Sequence, residues 1–214
     1  MKIDFQSKSY KFKKKEFDKF FEEISKSSTY TQGKNLSLFE DNLRKYLGVK
    51  NCVVTSNAVS AMELIVNSIN LKSNDEIIIP AHTYVASAYP FLRKTKNIKW
   101  ADIDIDTRVS DLKYIKKLVT KNTRVIVVVH LYGYMVNIKP IAEFAKKNNI
   151  ILIEDAAQSI GCKINGKHAS TFGDYAIISF QSQKNLTTLG EGGCLIYKNN
   201  KLNKFFKNLR HNGH

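Results

Sequence analysis

The apolar positions of this chain follow two patterns that change over near residue 50. Before that point they recur at helical spacing. Phe17, Phe20, Phe21 and Ile24 stand at i, i+3, i+4 and i+7, which predicts an amphipathic helix whose stripe must dock on something. A second helix is predicted over 36–46, stopped by Gly48, a residue suited to a left-handed cap. Beyond it, short apolar runs predict strands at 52–55, 76–79, 98–103, 124–129, 150–154, 175–180 and 193–197. Helical stretches are predicted between them, near 58–69, 87–92, 112–119 and 140–148, and again at 201–209. The runs at 125–129 and 150–153 are apolar without interruption, as in strands covered on both faces. This alternation predicts an α/β fold in three layers, helices on both sides of a mostly parallel sheet of seven strands. Residues 1–30 are expected to form a helical arm and residues 31–214 one large domain.

Composition narrows the picture. The chain has 214 residues, 43% of them hydrophobic, enough for a sizeable core and incompatible with wholesale disorder. Lys plus Arg number 34 against 19 Asp plus Glu, a formal charge of +15. Only Arg44, Arg93, Arg108, Arg124 and Arg210 are arginines, and the lysines are dispersed except for Lys8, Lys11, Lys13, Lys14 and Lys15. Dispersed lysine marks solvated faces more than base-reading surfaces, so no nucleic-acid partner is expected. Cys52, Cys162 and Cys194 are odd in number, and neither a disulfide framework nor a zinc-ligand spacing is present; no metal site is expected. Cys52 and Cys194 read as small buried hydrophobes. The Met1–Phe5 start lacks a signal-peptide core, and no apolar run reaches the roughly 18 residues of a membrane helix. A soluble cytoplasmic protein without a membrane partner is expected.

The chemistry should lie at the strand ends. In open α/β sheets, ligands bind beyond the carboxyl ends of the strands. There the sequence offers Ser56-Asn57-Ala58 opening a helix, Pro80-Ala81-His82-Thr83-Tyr84, His130-Leu131-Tyr132-Gly133, Glu154-Asp155-Ala156-Ala157-Gln158, and Gln181-Ser182-Gln183-Lys184-Asn185. A helix start at 56–58 would suit an anion, because its backbone N–H groups are free and the helix dipole is positive there. Any one such residue could be ordinary loop polarity; five groups on one rim argue for a site. Two motifs are set aside. Gly161 to Lys167 has the spacing of a phosphate loop, but His168 stands where Ser or Thr must bind magnesium, so a surface hairpin is expected. Gly190-Glu191-Gly192-Gly193 reads as a tight turn feeding the last strand, and no Gly-x-Ser-x-Gly nucleophile elbow exists.

The stretch Glu154-Asp155-Ala156-Ala157-Gln158, then Gly173-Asp174, then Ser179-Phe180 through Lys184-Asn185 to Gly190-Glu191-Gly192-Gly193, resembles the core of the DegT/DnrJ/EryC1/StrS sugar aminotransferases. The likeness extends through Tyr30 to Gly33, Phe39-Glu40, Tyr46-Leu47-Gly48, Pro80, Thr83-Tyr84, Asp102-Ile103-Asp104 and His130 to Gly133. It implies the large domain of a pyridoxal 5'-phosphate (PLP) enzyme of the aspartate-aminotransferase fold type. Lys184 is implied as the lysine bonded to the cofactor aldehyde. Asp155 is implied opposite the pyridine nitrogen, Gln158 near the phenolic oxygen and Tyr84 on the ring face. Ser179 with the Ser56, Asn57 and Ala58 turn is implied at the phosphate. The family usually has Ser-Gly-Thr at that turn, so a threonine hydroxyl is missing here.

The resemblance further implies amino transfer, from glutamate to a nucleotide-linked keto-deoxysugar, for surface-polysaccharide (lipopolysaccharide or O-antigen) or glycan synthesis. It implies a homodimer whose sites are completed across subunits, and Lys184 argues against the dehydratase branch, where this lysine is replaced. The family's small C-terminal domain is not among these residues. The competing reading is therefore a catalytically silent or truncated cofactor-domain remnant serving as an interaction subunit.

Overall fold

The computed structural model describes residues 13–211 and Gly213. Lys8 and Lys11 of the basic cluster lie outside the described residues. A seven-stranded sheet forms the centre. Its strands are β1 (Asn51–Thr55), β2 (Glu76–Pro80), β3 (Ile98–Ala101), β4 (Thr123–Val129), β5 (Ile151–Asp155), β8 (Tyr175–Ser179) and β9 (Gly193–Tyr197), in the order β1-β9-β8-β5-β4-β2-β3. A two-stranded hairpin, β6 (Lys163–Ile164) and β7 (Lys167–His168), stands apart from it. Pairings β2–β3, β2–β4, β4–β5 and β5–β8 are parallel, and only β9 runs against its neighbours. All seven predicted strands form, the third ending two residues early.

Helix α2 (Lys34–Leu47) buries Leu43 and Leu47 and ends on Gly48 at φ 69°, the left-handed cap that favours glycine. It covers one face of the sheet, where Cys52, Cys194, Ile178, Ile196 and Phe180 are buried. Helix α3 (Ala58–Ser68) covers the other face, burying Ala61, Met62, Ile65 and Val66 against Val53, Ile177 and Leu195. Further helices are α4 (Leu112–Leu118), α5 (Ile138–Lys147) and α6 (Asn203–Arg210). Val125 to Val129 of β4 are buried throughout, so the uninterrupted apolar run does mark a strand covered on both sides.

Two expectations need correction. The helix near 87–92 is a pair of 3-10 turns, Val85–Ser87 and Tyr89–Arg93, because Pro90 has no N–H to give an α-helical ladder. Helix α1 (Lys14–Ser27) forms as read, but only the end of its stripe turns to the domain: Ile24 is half-buried and lines a cavity shared with Leu36 and Leu64, whereas Phe17, Phe20 and Phe21 stay exposed, with the first and last stacked. The Gly161–Lys167 segment is the expected hairpin. Asn165 and Gly166 both take positive φ, 50° and 76°, as the two central residues of a tight hairpin turn require.

Candidate active site at the strand ends

The register brings the chemistry to one edge. Val129 pairs with Asp155, Asp155 with Ile177, Ser179 with Gly193, and Gly193 with Thr55. The carboxyl ends of β1, β4, β5 and β8 therefore open on the same side as the start of β9. A cavity of about 590 Å³ lies there, lined among others by Asn57, Ala58, Tyr84, Asp155, Gln158, Ser179 and Lys184. These are seven of the eight residues singled out from sequence. The eighth, Ser56, faces away. Its hydroxyl lies 3.1 Å from that of Ser60, and both line a larger cavity of about 850 Å³ between the α1–α2 connection, β1 and α3. That larger space holds none of the other seven residues.

Side-chain alternation along β5 separates two adjacent carboxylates. Asp155 turns to the cavity, while Glu154 turns into the protein. Asp155 is almost fully buried; its Oδ2 accepts from the Ser87 hydroxyl at 2.6 Å and its Oδ1 from the Ala157 N–H at 3.0 Å. Burial pushes its carboxyl above the usual value of 3.8, opposed by those two hydrogen bonds and by the neighbouring Lys184 ammonium. Glu154, fully buried, accepts from the backbone N–H groups of Ser170, Phe172 and Gly173 and meets His130 Nε2 at 3.0 Å. It anchors the loop beyond the hairpin and does not line the cavity.

Lys184 sits on the loop that joins β8 to β9. That loop is closed by Thr188 N–H to the Phe180 carbonyl at 2.8 Å and Ser182 N–H to the Gly190 carbonyl at 2.9 Å. Asn185 ties it to the Ile160 carbonyl at 3.1 Å. Lys184 is partly buried, in the same cavity as Asp155. Gln158 accepts the Tyr132 N–H through Oε1 at 2.8 Å, which leaves its amide NH₂ as the group free to donate. Tyr84 is 71% exposed at the lip, an aromatic face open to the cavity. Ser179 lies at the floor, its Oγ 3.4 Å from the Gln181 N–H.

The helix start is built differently from the expectation. The Asn57 side chain accepts the Ser60 N–H at 2.8 Å, capping α3 with its own oxygen. Gly193 allows this turn to descend onto β9: a Cβ there would lie 2.3 Å from the Asn57 carbonyl carbon. Sequence reading missed Ser87 and the anchoring role of Glu154. The period-2 alternation of Glu154 and Asp155 was the available signal for Glu154; an isolated Ser offered none.

A sequence model of the DegT/DnrJ/EryC1/StrS aminotransferase family matches residues 11–214. The chain belongs to this family. As a DegT/DnrJ/EryC1/StrS member it is similar to GDP-perosamine synthase of Caulobacter vibrioides, 34% identical over 181 residues, which cover 85% of this chain and 48% of the relative. It is equally similar to the dTDP-3-amino-3,6-dideoxy-alpha-D-galactopyranose transaminase of Aneurinibacillus thermoaerophilus, at 34% identity, covering 93% and 55% of the two chains. Among solved structures, it resembles S. venezuelae DesV in complex with a ketimine intermediate (TM-score 0.88, 27% identity, 94% of this chain and 54% of that one). It also resembles a GDP-4-keto-6-deoxymannose-3-dehydratase with a trapped PLP-glutamate geminal diamine (TM-score 0.90, 28% identity, 99% and 55%). The chain thus spans about half the length of the relatives it matches. The proteins that this chain resembles thus include both a transaminase and a dehydratase, so site residues must separate the two activities.

Proposed function

We propose that this chain is the cofactor-binding part of a PLP-dependent aminotransferase that acts on a nucleotide-linked keto-deoxysugar. The observation that carries this reading is the meeting of Lys184, Asp155, Gln158 and Tyr84 in one cavity of about 590 Å³. The donor set suits the cofactor. A buried carboxylate suits a pyridinium, an aromatic face suits a flat ring, a side-chain amide suits a phenolate, and a helix start beside a serine suits a phosphate. When bound, PLP supplies an electron sink for the carbanion formed at the substrate carbon.

The residues do the rest. Asp155, held by Ser87 and Ala157, keeps its charge toward the ring nitrogen and so holds a proton there. Lys184 would be the covalent anchor for the cofactor aldehyde, and its free amine would be placed to take up and return a proton at the substrate carbon. The amide NH₂ of Gln158, oriented by Tyr132, donates to the phenolic oxygen. Ser179 and the start of α3 at Asn57 and Ala58 would hold the phosphate, with Ser56 turned to the neighbouring cavity.

Glutamate is the proposed amino donor. A dehydratase of this fold solved with a PLP-glutamate adduct supports that choice. The transaminase and perosamine-synthase relatives support a nucleotide-sugar acceptor, and surface-polysaccharide synthesis is the proposed use of the product. We assign the reaction to a cytoplasmic homodimer in which residues 31–214 form the cofactor domain and residues 1–30 an arm. No described helix is long and apolar enough to cross a membrane. Adding PLP to the purified chain should produce a visible absorbance band that Lys184→Ala abolishes. No band in the wild type, or the same band in the variant, would overturn the reading. Formation of 2-oxoglutarate from glutamate with keto-sugar nucleotides then tests transfer, and a silent chain would give the band without turnover.

A further inference from the structure

Asp155 is served by two hydroxyls in series. Ser87 Oγ lies 2.6 Å from Asp155 Oδ2, and Thr83 Oγ1 lies 2.7 Å from Ser87 Oγ. An ionised carboxylate can only accept, so the single Ser87 proton points at Asp155. Thr83 must then donate to Ser87. Ser87 is fully buried, whereas Thr83 lines the cavity wall. The relay thus runs from the cavity surface through the protein to the back of the carboxylate.

Resting on the cofactor reading above, we infer that Thr83 and Ser87 form a two-hydroxyl relay that positions Asp155 and keeps it ionised. Ser87 is a positioning residue, since it acts through Asp155. The charge needs such support. Burial favours the neutral acid, and a neutral Asp155 could not hold a proton on a ring nitrogen. The other groups facing Asp155 are the Ala157 N–H on its own strand end, Lys184 from the β8–β9 loop, and His130 from the end of β4. His130 is committed elsewhere, its Nε2 to Glu154 and its Nδ1 accepting the Val136 N–H at 3.1 Å. Ser87 is therefore the side-chain hydroxyl that donates to this carboxylate, and Thr83 sets its direction. The 3-10 turn at Val85–Ser87 is what aims it: Ser87 N–H closes the turn on the Tyr84 carbonyl at 3.0 Å.

The test is a carbon-13 NMR titration of the full chain without cofactor, the Asp155 carboxyl signal being assigned by its loss in Asp155→Asn. The midpoint should move to higher pH in Ser87→Ala and by a smaller step in Thr83→Val. Ser87→Thr, which keeps the hydroxyl, should stay near wild type. If Ser87→Ala fails to fold, Thr83→Val and Ser87→Thr carry the comparison. Unchanged midpoints in the variants that remove a hydroxyl overturn the relay. In parallel, the pH profile of the visible band formed with PLP should shift in the same order. A wild type with no band refutes the cofactor reading and leaves the relay to the cofactor-free titration, so the two failures are distinguishable.

Discussion

His130 Nε2 lies 3.0 Å from the carboxylate of Glu154, and both residues are completely buried. Because His130 Nδ1 accepts from Val136, its Nε2 carries the proton that Glu154 receives. Three backbone N–H groups from residues 170–173 complete the shell of that carboxylate. The cluster is the clamp behind the site: it joins the ends of β4 and β5 to the loop after the hairpin. Removing one partner of such a network leaves the others buried without a match. Glu154→Gln should therefore cost about 3 kcal/mol of folding stability by chemical denaturation. A loss below about 1 kcal/mol would mean that the loop re-forms its bonds elsewhere.

Gly193 is where the helix start meets the sheet. A methyl group there would strike the backbone of Asn57 and Ala58 at 2.3–2.5 Å, and backbone cannot swing away as a flexible side chain can. Gly193→Ala should cost about 3 kcal/mol and displace the helix start, so PLP binding falls with stability. Thermal denaturation and a PLP titration check both effects. Wild-type values for each would show that the turn has room to spare.

Asn57 competes for the groups that a phosphate would use. Its side chain holds the Ser60 N–H, so replacing it by glycine should cost only a few tenths of a kcal/mol while freeing that donor. The extended φ of −161° at Asn57 is open to any residue. Asn57→Gly should tighten PLP by about ten-fold, the worth of one hydrogen bond to a charged acceptor. Weaker binding by fluorescence titration would instead place the Asn57 amide among the phosphate's own partners.

The raised carboxyl of Asp155 has a consequence for the cofactor-free chain. Its proton leaves the unfolded chain first, near the ordinary value of 3.8, and the folded chain only at higher pH. The unfolded state then binds fewer protons, so this residue's contribution to stability falls as pH rises through that window and levels off above it. Asp155→Asn should flatten that fall and leave the cofactor-free chain at least as stable as wild type at neutral pH, while losing the PLP band. Denaturation series across acid and neutral pH provide the check; a wild-type slope of the same size in Asp155→Asn would contradict it.

The strands were legible because unbroken apolar runs such as 125–129 have few other solutions, and their ends then marked where the site must be. Gly48 was legible as a stop because its conformation is local. What escaped the sequence depends on orientation. Ser56, Asn57 and Ala58 are adjacent, yet only the last two line the cavity that holds Lys184, since the turn directs Ser56 toward Ser60. Ser87 became part of the site because Pro90 breaks the predicted helix into 3-10 turns, which no apolar periodicity records. The stripe of Phe17, Phe20 and Phe21 was legible as a helix face, but periodicity says nothing about what covers it.

The chain carries many lysines, and any accessible amine can react with an aldehyde, so the location of the adduct is the decisive quantity. The direct measurement is borohydride reduction of the PLP-treated chain, followed by proteolysis and mass spectrometry of the fixed pyridoxyl group. At one equivalent of PLP the label should concentrate on Lys184, the lysine that shares a cavity with Asp155, Gln158 and Tyr84. Label spread over surface lysines with Lys184 unmodified would contradict the assignment of this cavity as the cofactor site.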